Sequence, residues 1–177
     1  MKQSEQNVSP MSNEGRNNYV IEHIREAFLC LLKEKSIDQI TITELCDMAG
    51  VGRASFYRNY NSKDDIVKSH LNQIISEWIE EYDRKDNFPL SEQVRGLFTH
   101  FEKNIVFYKL LYDRNLIYLL KDVLLGIYGP KPEDNAISAY SKDFVAYTLY
   151  GWIEVWFQRG MHESAEELAN MFSVNGL

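Results

Sequence analysis

The sequence has little cysteine and no long hydrophobic run. Its two cysteines, Cys30 and Cys46, form no C-x-x-C pair, and both fall in segments with helical periodicity. We predict that both are reduced, small apolar core residues, with a redox-sensing disulfide between them as the alternative. No apolar stretch approaches the ~20 residues that span a bilayer, and the polar N-terminus lacks the hydrophobic segment of a signal peptide. We therefore expect a cytoplasmic protein that binds no membrane.

The signatures of common catalytic and cofactor sites are missing as well. The four histidines are dispersed, without the H-x-x-x-H or H-E-x-x-H spacing that holds a metal on one helix face. They are His23, His70, His100 and His162. The chain has no G-x-S-x-G elbow, no P-loop and no dinucleotide fingerprint. We expect no enzymatic activity, no metal and no cofactor.

Positive charge is not in excess, since the formal net charge is −7. Taken as a total, this value argues against binding to nucleic acid. Residues 1–62, however, contain 7 Lys or Arg and 8 Asp or Glu, a balance of −1, so the remaining −6 belongs to residues 63–177. Arg53, Arg58 and Lys63 therefore lie in or beside a nearly neutral segment, and nucleic-acid binding depends on such local groups rather than on the total.

Helical periodicity is what the sequence has in abundance. Its 177 residues, 45% of them apolar, suit one compact unit or two small helical subdomains with a real core. We predict an all-α fold of about nine helices, with a three-helix domain over residues 18–62 and a larger helical domain over residues 63–177. Residues 1–17 are rich in Ser, Asn, Gln and Glu, which predicts a disordered tail.

The segment from Thr41 to Lys63 is predicted to form a short helix, a tight turn and a second short helix. Thr41 and Glu44 form a capping box, followed by apolar residues at helical spacing. Gly50 can end the first helix in a left-handed conformation, and Gly52 is tolerated as the N-cap of the second. Such a pair is typical of a helix-turn-helix, whose second helix can enter the major groove of DNA. The alternative is a helical corner in an unrelated all-α protein.

The pattern T-I-x-x-L-x-x-x-A-G-V-x-x-x-x-F-Y-x-x-Y-x-x-K in this segment resembles the DNA-binding signature of TetR-type transcriptional regulators. The resemblance is most specific at Ala49-Gly50-Val51, Phe56-Tyr57 and Lys63. It implies an all-helical homodimer with an N-terminal DNA-binding domain and a divergent C-terminal domain, which in many members binds an effector. Two positions depart from the family, which often has Ser in place of Gly52 and His in place of Asn59.

The second short helix supplies most of the candidate DNA contacts. Phe56 and Tyr60 are predicted to face the core. The candidate outward positions are Arg53, Ala54, Ser55, Tyr57, Arg58 and Asn59. Arg53 can bond a guanine edge with two donors, and Ala54 allows close approach to a thymine methyl group.

Other contacts are implied by the resemblance to the family. Tyr57, Asn59 and Lys63 match positions that bind phosphates, and Thr43 matches a position that touches DNA. Lys63 also lies at a helix start, where backbone donors and the helix dipole favour an anion. Arg58 is either a DNA contact or a solvated surface charge.

The larger domain is predicted to begin with a long helix. Ser62 and Asp65 cap this helix, and its apolar period continues from Ile66 to Tyr82. After the break at Asn87-Phe88-Pro89, further helices are predicted around residues 94–101, 105–112, 116–128, 136–159 and 164–174.

Aromatic residues are concentrated in the second half of the chain, where an apolar pocket between helices is a usual ligand site. The candidate lining residues are Phe101, Phe107, Tyr108, Tyr112, Tyr147 and Trp152. A filled aromatic core explains the same residues equally well, so the sequence leaves both interpretations open.

The last two helices are predicted to form a homodimer interface. Between Ile137 and Phe157, apolar residues occupy most sides of the helix, which is more surface than a small domain can cover. One face is marked by Phe144, Tyr147, Gly151 and Val155. The candidate interface residues are Gly151, Val155, Trp156, Leu168, Met171 and Phe172. Two-fold pairing would let two recognition helices reach half-sites about 34–36 Å apart on one face of a duplex.

These features predict a TetR-like repressor that binds a palindromic double-stranded DNA operator as a homodimer and is released by a small ligand. The alternative is a regulator or activator that a protein partner controls through the C-terminal domain. The tract Tyr147–Gln158 is similar to a subgroup of the family associated with dihydroxyacetone-kinase regulators, which can respond to protein partners.

Overall fold

A computed structural model of the protein describes residues 13–82 and 90–174. All regular elements in these two ranges are helical, so the predicted all-α fold is confirmed. The elements are α1 (Asn13–Glu34), a 3-10 turn (Ile37–Gln39), α2 (Ile42–Ala49), α3 (Arg53–Asn59), α4 (Lys63–Tyr82), α5 (Leu90–Lys103), α6 (Ile105–Asp113), α7 (Tyr118–Tyr128), α8 (Ala136–Gln158) and α9 (Ala165–Val174). None of the helices described is long and apolar enough to cross a membrane. The chain divides into two compact units, with the boundary between Val67 and Lys68 inside α4.

The N-terminal unit is built around one buried face of α1. Ile24, Phe28 and Leu32 recur at helical spacing along this face, and none of them is exposed. Leu45 of α2 and Phe56 of α3 are also fully buried, and α1 contacts both of these helices. Helices as short as α2 and α3 are marginal alone, so packing on α1 stabilises them.

α1 begins at Asn13, inside segment 1–17, for which the composition predicts disorder. Once the buried part of a helix is fixed, each further residue adds a hydrogen bond at little cost, so polar residues can extend it. The rings of Tyr19 and His23 also contact each other near this end, with 4.0 Å between their centroids. The prediction of disorder is wrong for residues 13–17, and residues 1–12 lie outside the described part of the chain.

The two cysteines differ in burial. Cys46 is 2% exposed, and burial raises the pKa of its thiol. Cys30 is exposed, because its position on α1 lies away from the stripe formed by Ile24, Phe28 and Leu31. Both are free thiols, so the predicted core position is confirmed for Cys46 and wrong for Cys30.

The C-terminal unit has an aromatic core between its helices. α5 packs along α9, and α7 packs on α8. Phe98 and Phe101 of α5 are fully buried, and the Phe98 ring meets the Trp156 ring of α8 edge-on with 5.4 Å between centroids. Leu168 and Phe172 on α9 are buried as well. These two side chains of α9 are therefore covered by their own chain.

The connection between α7 and α8 is held by specific contacts. Gly129 follows α7, and a Cβ atom there would lie 2.3 Å from a backbone oxygen of the preceding turn, so only glycine fits. Asp134 accepts hydrogen bonds from the Lys142 ammonium at 2.5 Å and from the Lys131 backbone N–H at 2.6 Å. These two bonds lower the pKa of Asp134 to about 2, and the bond from Lys142 has the larger effect. The bounds of α6 to α9 agree with the predicted ones to within two residues.

Candidate nucleic-acid interface

The turn between α2 and α3 has the backbone geometry of a helix-turn-helix corner. Thr41 Oγ1 accepts the Glu44 N–H at 3.1 Å and caps α2. Gly50 ends α2 with a φ of 66°, a left-handed conformation that disfavours any residue with a Cβ atom. α3 follows an extended Gly52, which provides no side-chain cap. The predicted positions of Thr41, Gly50 and Gly52 are confirmed.

Glu44 joins the start of α2 to the end of α1. Its carboxylate accepts a hydrogen bond from the Lys35 ammonium at 2.5 Å. This bond is the main cause of the lowered pKa of Glu44. The Thr41 backbone N–H also lowers that pKa, as expected of the second half of a capping box. The pair therefore adds a polar contact to the apolar packing of α2 on α1.

α3 presents one buried and one exposed face. Phe56 is fully buried, and Tyr60, the C-cap residue, is 6% exposed. The exposed residues of the helix are Arg53, Ala54, Tyr57 and Arg58, with Ser55 and Asn59 half-buried beside them. The helix has two arginines and no carboxylate, so it contributes only positive charge although the whole chain is acidic.

Tyr57 and Asn59 are both held by neighbours on α3. The Tyr57 ring meets the Phe56 ring edge-on at 5.3 Å, while 60% of its surface stays exposed. Asn59 Nδ2 donates to the Ser55 carbonyl at 2.9 Å, and the amide has a second N–H that can donate to a phosphate. DNA contacts by these two residues stay predictions.

Thr43 and Lys63 precede and follow α3 in the chain, and their surroundings differ. Thr43 is exposed in the first turn of α2. Lys63 is half-buried, and its ammonium donates to the carbonyl oxygens of Ile37 and Ile40, the latter at 2.6 Å. Two of its three N–H donors therefore bond the protein itself. The phosphate contact of Lys63 stays a prediction, and no sequence pattern pointed to these two carbonyl groups.

Three of the predicted pocket residues lie in a packed aromatic cluster. Phe101 and Tyr108 are fully buried, with 4.4 Å between their ring centroids. Tyr112 stacks on Phe157 at 5.5 Å. The cluster includes a polar pair that sequence reasoning missed, because His100 Nε2 lies 2.9 Å from the Tyr108 hydroxyl across two helices. Burial raises the pKa of Tyr108, and the close packing of the rings favours a filled core.

None of the other three predicted pocket residues is fully buried. Phe107 and Trp152 are half-buried, and the Trp152 ring meets the Phe172 ring at 5.2 Å. Tyr147 is 47% exposed, and its place in a pocket wall stays a prediction. The preceding residue, Ala146, is the one that α8 buries, and a step of one residue turns a side chain by about 100° around the helix.

Three of the six predicted dimer residues are core residues of a single chain. Trp156, Leu168 and Phe172 are 2%, 6% and 3% exposed. Trp156 Nε1 also donates to the Glu163 carbonyl at 2.9 Å. The Phe98 ring of α5 packs on Trp156, and α5 packs along α9, so these side chains are buried within their own chain. That burial argues against a contact between chains at these three residues, and their interface role stays untested.

The remaining three dimer residues belong to the surface of the C-terminal unit. Gly151 is half-buried, whereas Val155 and Met171 are 51% and 45% exposed. Gly151 and Val155 continue a row of apolar residues at helical spacing on α8. We name this row the α8 stripe, and it consists of Ile137, Tyr140, Phe144, Tyr147, Gly151 and Val155.

Two family models match the chain. A model described as bacterial regulatory proteins, tetR family, matches residues 24–69. A second model, described as a transcriptional regulator C-terminal region, matches residues 89–175. A comparison with curated proteins finds no match.

Two solved structures have similar folds. A TetR transcriptional regulator from Streptococcus agalactiae 2603V is 20% identical, with a TM-score of 0.57 over 90% of this chain and 94% of its own. The fatty acid degradation regulator FadR from Bacillus halodurans is 14% identical, with a TM-score of 0.52 over 85% of this chain and 91% of its own. These likenesses show the fold, and the two family models cover both the helix-turn-helix and the C-terminal helices. The chain therefore belongs to the TetR family of bacterial transcriptional regulators, which bind DNA through their helix-turn-helix.

Proposed function

We propose that the protein is a homodimeric repressor that binds a palindromic operator through α3 and is released from DNA by a small molecule. It acts in the cytoplasm and uses no cofactor. The observation that carries this proposal is the exposed face of α3, with Arg53 in its first turn and Ala54 beside it. Arg53 offers two donors to a guanine edge, and Ala54 permits close approach to a thymine methyl group.

Contacts to phosphates orient α3 in the groove. We assign them to Thr43, Ser55, Tyr57 and Asn59, and the salt dependence of a Lys63 variant, described below, tests whether the third N–H of Lys63 adds another. Such contacts hold the protein on any sequence, and base edges add the discrimination. Arg58 is exposed near the end of α3 and serves as a further phosphate contact.

The α8 stripe supports the homodimer. Ile137, Tyr140 and Phe144 are 82%, 80% and 62% exposed, which is unusual for large apolar side chains in one row. Two copies related by a two-fold axis would bury the stripe against itself, and Gly151 would allow close approach of the two α8 helices. The two copies of α3 would then meet half-sites about 34–36 Å apart.

Selection from random duplexes tests DNA binding and symmetry together. We expect the selected sequences to contain an inverted repeat, bound with two chains per duplex. The matched control is the double variant Arg53→Ala and Arg58→Ala, which removes both cations of α3 and should select no sequence. A selected site without two-fold symmetry would contradict the dimeric part of the proposal, and no selected site at all would contradict operator binding.

Release by a small molecule is proposed from the resemblance to a family in which many members bind an effector in the C-terminal domain. A compound that entered the aromatic cluster would meet one polar pair, His100 and Tyr108. The half-buried Phe107 and Trp152 stay predicted lining residues. A compound that binds the folded state raises the melting temperature. We expect at least one such compound from a thermal-shift screen to weaken operator binding as well. If every compound that raises the melting temperature leaves operator affinity unchanged, ligand release is wrong.

Control by a protein partner is the second candidate. Val106 and Tyr118 are 75% and 50% exposed and lie outside the α8 stripe. The similarity of Tyr147–Gln158 to regulators that respond to protein partners points in the same direction. If this candidate holds, Val106→Glu with Tyr118→Glu should abolish the regulatory response in a transcription assay without changing operator affinity. The same assay, run with and without the wild-type protein, distinguishes a repressor from an activator.

A further inference from the structure

Lys63 has surroundings that a DNA contact does not explain. It is the first residue of α4, where the helix dipole places partial positive charge and disfavours a cation. The cap of this helix is already complete, because Ser62 Oγ accepts the Asp65 N–H at 3.3 Å and the Asp65 carboxylate accepts the Ser62 N–H at 2.9 Å. The Lys63 ammonium is therefore not needed to start α4.

The ammonium instead bonds the backbone on both sides of the 3-10 turn. It donates to the carbonyl oxygen of Ile37, where the turn begins, and to that of Ile40, its C-cap residue. The Ile40 side chain is 1% exposed, and the next residue, Thr41, is the N-cap of α2. Lys63 thus holds the backbone one residue before the N-cap of α2, although it lies 23 positions further along the chain than Ile40.

A second lysine holds the same corner from α1. Lys35 directly follows α1, and its ammonium pairs with Glu44 in the first turn of α2. The start of α2 is therefore bonded to α1 through Lys35 and to α4 through Lys63. The other end of α2 leads through Gly50 into α3, so a displacement at the start of α2 also displaces α3.

We propose that Lys63 is a positioning residue, which sets the orientation of α3 by fixing the start of α2 to the start of α4. This inference rests on DNA binding by α3, and it gives Lys63 a role that does not require contact with a phosphate. Lys63, Ile37 and Ile40 all belong to the N-terminal unit, so the contact is internal to the unit that binds DNA. Loss of the contact should loosen the corner and weaken binding, while the number of phosphates neutralised stays the same.

The test compares Lys63→Met, Lys63→Gln and a control, Lys103→Met, which removes the same charge from an exposed position in the C-terminal unit. In the free protein, Lys63→Met should speed amide hydrogen exchange at Ile40 and Glu44 by about tenfold or more, because both hydrogen bonds from the charged donor are lost. Lys63→Gln keeps a neutral donor, so its exchange rates at Ile40 and Glu44 should lie between those of Lys63→Met and of the wild type. The exchange rates of Lys103→Met should match those of the wild type.

Binding to a duplex selected by the wild-type protein supplies the second readout. Lys63→Met should lower affinity by about tenfold with an unchanged slope of log K against log salt, whereas loss of a phosphate contact would reduce that slope by about 0.9. The positioning role is overturned if the slope falls by that amount while exchange at Ile40 and Glu44 stays at the wild-type rate. The exchange measurement needs no DNA. If no operator is found, that result contradicts the proposed function, and the exchange rates at Ile40 and Glu44 alone then show whether Lys63 holds the start of α2.

Discussion

At the scale of single residues, the two arginines of α3 are not equivalent. Arg53 and Arg58 are five positions apart, which places them about 140° apart around the helix axis. Both are exposed, but Arg53 lies in the first turn, the part of a recognition helix that reaches base edges. A base contact affects discrimination, and a phosphate contact affects binding to every sequence.

We predict that Arg53→Ala weakens binding to the preferred operator by about 1–3 kcal/mol and relaxes the preference at one base position. Arg58→Ala is the matched variant, since it removes the same charge from the same helix. It should weaken binding to the operator and to a random duplex by the same factor. Titrations against operator variants and a random duplex measure both effects. If Arg53→Ala reduces affinity equally for the operator and the random duplex, Arg53 does not contact a base.

Asp134 provides a prediction about pH. Its pKa in the folded protein is about 2, below the usual 3.8, because its carboxylate accepts hydrogen bonds from Lys142 and from the Lys131 N–H. A lowered folded-state pKa means that the carboxylate stabilises the fold above pH 3.8 and that this contribution is lost as the pH falls toward 2. Asp134→Asn should therefore melt below the wild type at neutral pH.

The difference in melting temperature between wild type and Asp134→Asn should narrow as the pH falls through this range. Calorimetry across the acidic range measures it. Glu133→Gln, a change of the same kind at an exposed neighbour, should show no such narrowing. If the difference in melting temperature between wild type and Asp134→Asn is as large at pH 2 as at neutral pH, the charge of Asp134 does not stabilise the loop.

At the scale of elements, the two glycines beside the turn have opposite requirements. Gly50 has a φ of 66°, so Gly50→Ala should destabilise the fold by roughly 1–2 kcal/mol although nothing lies within 4 Å of the added Cβ. Gly52 is extended and lacks a side-chain cap, so Gly52→Ser should stabilise the fold by about a few tenths of a kcal/mol. The denaturant midpoint of each variant is compared with that of the wild type. If both substitutions shift the midpoint in the same direction and by the same amount, the backbone roles given to the two glycines are wrong.

The helices themselves were predictable because periodicity and caps are local. Ser62 and Asp65 marked the start of α4, and the bounds of α6 to α9 followed from apolar spacing and turn residues. Which sides of α8 and α9 are buried within the chain was not predictable in the same way. A helix that is apolar on most sides, such as α8, does not reveal which side its own chain covers.

At the scale of the whole molecule, two adjacent residues of α8 differ sharply in burial. Trp156 is 2% exposed and Val155 is 51% exposed. Val155→Glu places a charge on the α8 stripe, so it should convert the proposed dimer into a folded monomer at micromolar concentration. Trp156→Glu buries an unpaired charge and should lower the melting temperature strongly instead. Sedimentation with circular dichroism distinguishes the two results, and a Val155→Glu protein that remains dimeric would exclude the stripe as the interface.

The sequence by itself determined the all-α class, the helix-turn-helix with its Thr41 cap and Gly50 corner, and the division of α3 into two faces. These features depend on residues within a few positions of one another, which spacing and capping chemistry describe fully. Only the tertiary structure decided that Trp156 lies in the core, that Tyr147 lies on the surface, and that Lys63 bonds the backbone before α2. Each of these depends on which distant part of the chain approaches the side chain, and local periodicity carries no information about that.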